Sequence, residues 1–315
     1  MLSRTADHLY WMSRYIERAE SQARLVDAHY RMSLLPHTVE TLAQSLNSTL
    51  RALRMEEAYR ERHAATVPRS VFEFVSLDRD FAGSIFNCLK AARENARAVR
   101  GSLTSELWET MNSTWLEARS IAARRAGQSD IGQFVEWVKE RSHLTRGVII
   151  GTMLRDEAFH FTRIGTFLER ADSTARLLMA RQDDLRPGAD AGSVPDPFEW
   201  SVLLRALSAF EVYRRLYRDV ITPVKVAQML ILRDDMPRSL LRCSKELYSN
   251  LKSVGNEQSA ETERRAGEMH AILHFARMED ILESGLPEFL EHYLGRVRDL
   301  GDRIAHDFLL PPVEA

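Results

Sequence analysis

The feature that most restricts the fold is that the chain repeats itself. Glu17-Arg18-Ala19-Glu20-Ser21-Gln22-Ala23-Arg24-Leu25 recurs 152 residues on as Glu169-Arg170-Ala171-Asp172-Ser173-Thr174-Ala175-Arg176-Leu177, with seven of nine positions identical and an eighth exchanging Glu for Asp. Leu50-Arg51-Ala52-Leu53 returns as Leu204-Arg205-Ala206-Leu207, and Glu57-Ala58-Tyr59-Arg60 as Glu211-Val212-Tyr213-Arg214, both at an offset of 154. Pro68 pairs with Pro223, and Ser84 and Cys88 with Ser239 and Cys243, at 155. The blocks keep their order, and the small drift in offset falls in expected loops. The sequence therefore reads as an internal duplication within a single domain spanning 1–315, with repeat one over 1–152 and repeat two over 153–315.

Each copy reads as helical. Apolar residues recur at three- and four-residue spacing, period-2 alternation is almost absent, and no proline interrupts the chain between Pro68 and Pro187. The pattern predicts about twelve helices, near 3–33, 38–62, 69–78, 83–100, 104–125, 130–153, 156–184, 197–218, 223–233, 237–253, 257–283 and 287–308. An exposed loop is expected over 186–197, where prolines, glycines and small polar residues cluster. Two copies of about six helices are too few for an open solenoid, so the expected fold is all-α, one pseudo-twofold helical body with a continuous core. Cys88 and Cys243 hold equivalent positions and read as small buried apolar residues rather than redox groups.

On a helical wheel of about 100° per residue, His8, Trp11, Met12, Tyr15, Ala19, Ala23 and Val26 form one apolar face of the first helix. Glu17, Glu20, Ser21 and Arg24 gather opposite, and Arg18 lies at the border. The second copy repeats the polar stripe with Glu169, Asp172, Ser173 and Arg176, beside Arg170. A solvated face tolerates almost any polar residue and drifts after duplication. This one kept its Glu, Ser and Arg while apolar neighbours changed from Tyr15-Ile16 to Phe167-Leu168, so a buried or functional polar seam is expected. Such a seam fits two roles. Carboxylate-guanidinium pairs at a pseudo-twofold interface fix register. A seam opening into a pocket would instead clamp an anion or amino acid, with Arg18, Arg24, Arg170 and Arg176 for a carboxylate or phosphate and Glu17 and Glu169 for an amine.

Other chemistry leaves little trace. Glu157-x-x-His160 has di-iron bundle spacing, but Thr5 stands at the position matching Glu157, and His270-x-x-x-His274 matches Trp115 and Arg119. No metal and no cofactor are expected. No phosphate-binding glycine loop, nucleophile elbow or multi-cysteine zinc site is present. A net charge of -2, with 43 basic against 45 acidic residues, gives no general attraction for nucleic acid or an anionic membrane. No apolar run approaches the roughly 20 residues of a membrane span, and a cytoplasmic location is expected.

The opening Met1-Leu-Ser-Arg-Thr-Ala-Asp-His-Leu-Tyr-Trp-Met-Ser-Arg-Tyr-Ile-Glu-Arg-Ala-Glu20, the segment from Cys88 to Arg97, and Gly151-Thr-Met-Leu-Arg-Asp-Glu157 leading to Leu168-Glu-Arg-Ala-Asp172 resemble the bacterial alpha-E family. The resemblance runs from Met1 to about Phe308. It departs at Ser13, where glycine is more usual, and at Ala158-Phe159-His160, where Gly-Trp is common; neither touches a Glu-Arg pair. The resemblance implies a helical domain with a characteristic Glu-Arg motif, here Glu17-Arg18 and Glu169-Arg170, whose role is unassigned. It also implies company: a circularly permuted ATP-grasp protein, adjacent or fused, often with a transglutaminase-like peptidase. ATP-grasp enzymes join a carboxylate to an amine through an acyl phosphate. The expected function is therefore an accessory binding or assembly protein in peptide or amide-bond synthesis or modification. The alternative is an enzyme of the same pathway, with the seam's Glu as base and its Arg as clamp. A dry, fully paired seam favours the first; unpaired carboxylates of raised pKa in a cleft favour the second.

Overall fold

The structure, a computed structural model, describes residues 1–34, 39–124, 131–181 and 197–309. Among them there is no strand. The first part of the chain forms α1 (Ser3–Ser33), α2 (Val39–Ala52), α3 (Glu56–Arg60), α4 (Pro68–Leu77), α5 (Ile85–Ala98), α6 (Ser105–Arg124) and α7 (Ile131–Thr152). The remainder forms α8 (Glu157–Met179), α9 (Pro197–Ala206), α10 (Phe210–Tyr217), α11 (Pro223–Leu232), α12 (Leu240–Ser253), α13 (Ala260–Phe275), α14 (Met278–Ser284) and α15 (Leu286–Ile304), followed by a π-turn at Ala305–Leu309. Apart from Pro197, which opens α9, the loop expected over 186–197 lies outside the described residues.

Among the described residues fifteen α-helices stand where about twelve are expected, because three of the expected helices are each broken in two. Two of the breaks are alike. Arg54 and Ser208 adopt left-handed φ values of +58° and +54°, and each turn closes with an N–H reaching back five residues, Met55 to Leu50 O at 2.8 Å and Ala209 to Leu204 O at 2.7 Å. Neither position is a glycine, so the composition does not announce the break. The third, at Ala276–Arg277, separates α13 from α14, again without glycine or proline.

Further features recur at the same offsets. Pro68 and Pro223 open α4 and α11, where a missing N–H costs nothing. Ser84 and Ser239 cap α5 and α12, each hydroxyl accepting from the N–H three residues on. Tyr59 and Tyr213 both donate to a loop carbonyl, of Ala65 and Val220, at 2.9 Å. His8 and His160 each pair through Nδ1 with an asparagine, Asn95 and Asn250, at 2.8 Å. His8 is thus satisfied within its otherwise apolar face.

The buried apolar side chains fall into two clusters. One is drawn wholly from residues between Ala19 and Val138; the other joins residues at the front and rear of α1 and parts of α2, α5, α6 and α7 to the second half of the chain. Helix α1 contributes to both, and it packs against α5, α7, α8 and α9. Its polar stripe consequently faces protein rather than water. Helices α1 and α8 approach closely at Gly165, where a Cβ would lie 2.3 Å from the Tyr10 carbonyl oxygen. Their front ends are tied by the terminal amine of Met1, which donates to Glu157 at 2.6 Å.

Candidate functional site

The two Glu-Arg motifs meet across the α1–α8 contact, each glutamate taking the other motif's arginine. Arg170 donates through Nε and a terminal nitrogen to both oxygens of Glu17, at 2.8 Å each. Arg18 does the same to Glu169, at 2.6 and 3.0 Å. Charge-assisted bidentate pairs of this kind fix orientation as well as adding energy. The exchange is symmetric in topology and asymmetric in surroundings.

Around Glu17 the chain adds three more arginines. Arg238, on the turn before α12, bridges Glu17 and Glu20 at 2.8 and 2.7 Å. Arg146 of α7 donates to Glu20 and lies 3.5 Å from Glu17. Arg24 donates to Glu20 at 2.9 Å, as its i,i+4 partner, and also to the hydroxyl of Ser208. Glu17 and Glu20 are 2% and 0% exposed. Burial by itself would raise both carboxyls, but the guanidiniums outweigh it. Arg170 and Arg238 hold Glu17 far below the usual carboxylate range, and Arg238, Arg146 and Arg24 hold Glu20 below it.

Around Glu169 the shell is thinner. Arg14 donates to it at 2.8 Å, alongside Arg18, and also to the Tyr10 hydroxyl at 3.0 Å. Here too burial raises the carboxyl while Arg14 and Arg18 bring it down. Asp172, which matches Glu20, takes both oxygens' bonds from Arg176 at 2.7 Å and is only partly buried. All eight seam residues read from the sequence thus lie along one interface. Glu17, Glu20, Arg24 and Arg170 join one network, Arg18 and Glu169 a second, and Asp172 with Arg176 form a separate pair. Sequence reasoning passed over Arg14, Arg146 and Arg238. Arg146 and Arg238 arrive from elements far away in the chain, so no local spacing marks them. Aligning the repeats does mark Arg238, because its counterpart is Gly83.

The cysteines flank this seam without joining it. Cys88 and Cys243 are free and buried, and burial pushes both thiols up to about 12. No group of three or more metal-ligating side chains assembles among the described residues. Glu157 is taken by the Met1 amine and His160 by Asn250. Among the described residues no helix is long and apolar enough to cross a membrane.

A cavity of about 610 Å³ opens on the Glu169 side. Its walls are α1, α8, α15 and the turns at 52–55 and 81–83. On the Glu17 side the corresponding ground is filled by Arg146 and Arg238.

No solved structure matches this chain. Among curated proteins it is similar to the "Uncharacterized protein Mb2597" of Mycobacterium bovis and the "Uncharacterized protein Rv2567" of Mycobacterium tuberculosis, each 24% identical over 324 residues. Those alignments cover 95% of this chain but only 36% of each relative, so the chain spans about a third of their length. The family that matches residues 1–309 is described as "a predicted alpha-helical domain with a conserved ER motif". With that match over nearly its whole length and two Glu-Arg motifs interlocked at its centre, the chain belongs to the Alpha-E family.

Proposed function

We propose that this chain is a binding and assembly subunit for a circularly permuted ATP-grasp amide ligase, acting in peptide or amide-bond synthesis or modification, and that its Glu-Arg seam is architectural. One observation carries this reading. Glu17, Glu20 and Glu169 are all buried, all bonded by two or more arginines, and all held ionised. A general base at neutral pH needs a free carboxylate with its pKa raised toward 7, and these have the opposite environment. Removing one arginine from such a pair leaves a buried charge uncompensated, so the seam is suited to locking α1 against α8.

We infer further that the body arose by duplication, with repeats over 1–152 and 153–315. The paired left-handed turns, helix caps, tyrosine bonds and histidine-asparagine bonds at offsets of 152 to 155 support this beyond the sequence blocks. The mycobacterial relatives support the assembly half of the reading, because in them the matching region is a minority of a longer chain. A transglutaminase-like peptidase is a second partner class implied by the family resemblance. Two buried unpaired thiols accord with a cytoplasmic setting.

The test is co-purification with the ATP-grasp protein, followed by mass analysis of its products with and without this chain. Association together with a changed product yield supports the proposal. Unchanged products when the chain is omitted refute it, and turnover by the isolated chain replaces it with the enzyme alternative.

A further inference from the structure

The cavity beside Glu169 differs from its counterpart in a way that points to a ligand. Gly83 and Arg238 hold matching places: Gln22 Nε2 donates to the Gly83 carbonyl at 3.1 Å, and Thr174 Oγ1 to the Arg238 carbonyl at 3.0 Å. Each is followed by a capping serine. Arg238 fills its side with a guanidinium between Glu17 and Glu20. Gly83 has no side chain, and the ring of Phe81 folds over it, 2.7 Å from where a Cβ would lie. The other plugs are missing too. Ser208 accepts from Arg24 on the closed side, whereas Arg54 stands at its matching position on the open side. Arg146 is taken by Glu20, whereas a glycine, Gly301, stands at its matching position and lines the cavity; Arg298, one turn before it, forms no ion pair with a carboxylate among the described residues, and neither does Arg54.

Two buried polar atoms in the same cavity are left over. Ser21, 8% exposed, and Gln22, 2% exposed, line it, and neither Ser21 Oγ nor Gln22 Oε1 has a hydrogen-bond partner among the described residues. Buried polar atoms are ordinarily paired, so such a coincidence calls for a partner from outside. The charges indicate which kind. Burial and the neighbouring charges of Arg176 and Arg298 outweigh Asp172 and push the Arg54 guanidinium below its usual pKa, so an anion set among these arginines is stabilised. Five arginines and four carboxylates line the cavity, a surplus of one positive charge. Two of those carboxylates, Glu169 and Asp172, are already bonded to Arg18 and Arg176, which leaves Asp302 and Asp7 as the other two. Asp302 stands one turn beyond Arg298 on α15, and Asp7 two turns before Arg14 on α1. A single surplus charge, with Asp302 and Asp7 also in the lining to receive N–H groups, suits a carboxylate attached to an amine or amide better than a phosphate dianion. The volume lies within the roughly 300–1,000 Å³ usual for small-molecule sites.

We propose that this cavity binds an amino acid or short peptide, its carboxylate held by Arg54, Arg298 and the Ser21 hydroxyl while one of its N–H groups is given to Gln22 Oε1. This deepens the assembly reading, since an amide ligase works on such groups. It stands on the cavity alone, however, and is tested on the isolated full chain, so its failure and that of the partnership are separable. Calorimetric titrations use L-glutamate, the dipeptide alanyl-glutamate, alanyl-glutamine amide and inorganic phosphate. At least one of the two carboxylate probes binds, and the amide, which keeps the amine but lacks a carboxylate, and phosphate do not. Arg54→Gly and Arg298→Gln each weaken binding about tenfold or more, while the surface change Arg69→Ala leaves it unchanged. Arg54→Gly is informative because glycine adopts the +58° φ without strain, so its loss of binding is not a loss of fold; the melting temperature checks this. The proposal is overturned if neither carboxylate probe binds at millimolar concentration, if binding persists unweakened in both arginine variants, or if phosphate binds and the carboxylates do not.

Discussion

Arg18 and Arg170 are equivalent in sequence and in pairing, yet their removal should have different consequences. Arg170→Ala takes two 2.8 Å bonds from Glu17 and a weaker one, at 3.3 Å, from the Pro237 carbonyl. Both partners are sealed, with side chains 7% and 2% exposed. Glu17 keeps Arg238 at 2.8 Å, so the loss is placed in the range of about 3–5 kcal/mol found for breaking a buried pair, toward its lower end. For a chain of this size that is a fall in melting temperature of roughly 5–8 °C. Arg18→Ala removes a pair whose arginine is 31% exposed and lines the cavity, so water reaches the vacated place. Glu169 keeps Arg14 at 2.8 Å. Discounted for solvent screening, the loss is about 1–2 kcal/mol. Thermal unfolding of the two variants beside the parent chain measures the difference directly. If Arg18→Ala destabilises as much as Arg170→Ala, the asymmetry assigned to the two networks is wrong.

Gly165→Ala should lower stability by about 3 kcal/mol or more, because its Cβ meets Tyr10 backbone atoms that can yield only by moving α1 off α8; a melting curve decides it. His29 is buried, with Nδ1 on the Leu25 carbonyl and Nε2 at the hydroxyls of Ser45 and Thr49, and burial lowers its pKa from 6.5 to about 4. Its depressed folded value means a contribution of about 3 kcal/mol that is complete above pH 6.5 and lost as pH falls through 4. Urea denaturation across that window should show the loss, and His29→Gln should flatten it. The seam carboxylates, also depressed in the folded state, add a further loss only below about pH 4.5. Cys88 and Cys243, with thiols near 12, should be silent to a thiol reagent in the native protein and both react once it is unfolded, a spectrophotometric count.

Helical periodicity, the proline-opened helices and the serine caps are local properties, so the all-α class and most helix positions were readable from residue types and spacing. The repeat blocks likewise singled out the eight seam residues, because polar identity held on one helix face needs a partner somewhere. Which partner it is was not readable. The turns at Arg54 and Ser208 carry no glycine, and their left-handed backbone is held by tertiary packing against any local preference. The exchange of arginines between motifs, and the arrival of Arg146 and Arg238, depend on how α1, α7, α8 and the turn before α12 pack across long separations. Near-identical motifs therefore ended in different environments. On one side the chain's own arginines enclose the carboxylates, and on the other a glycine and two arginines that form no ion pair among the described residues leave a cavity, because charge pairing is settled by proximity in space and the sequence records only order along the chain.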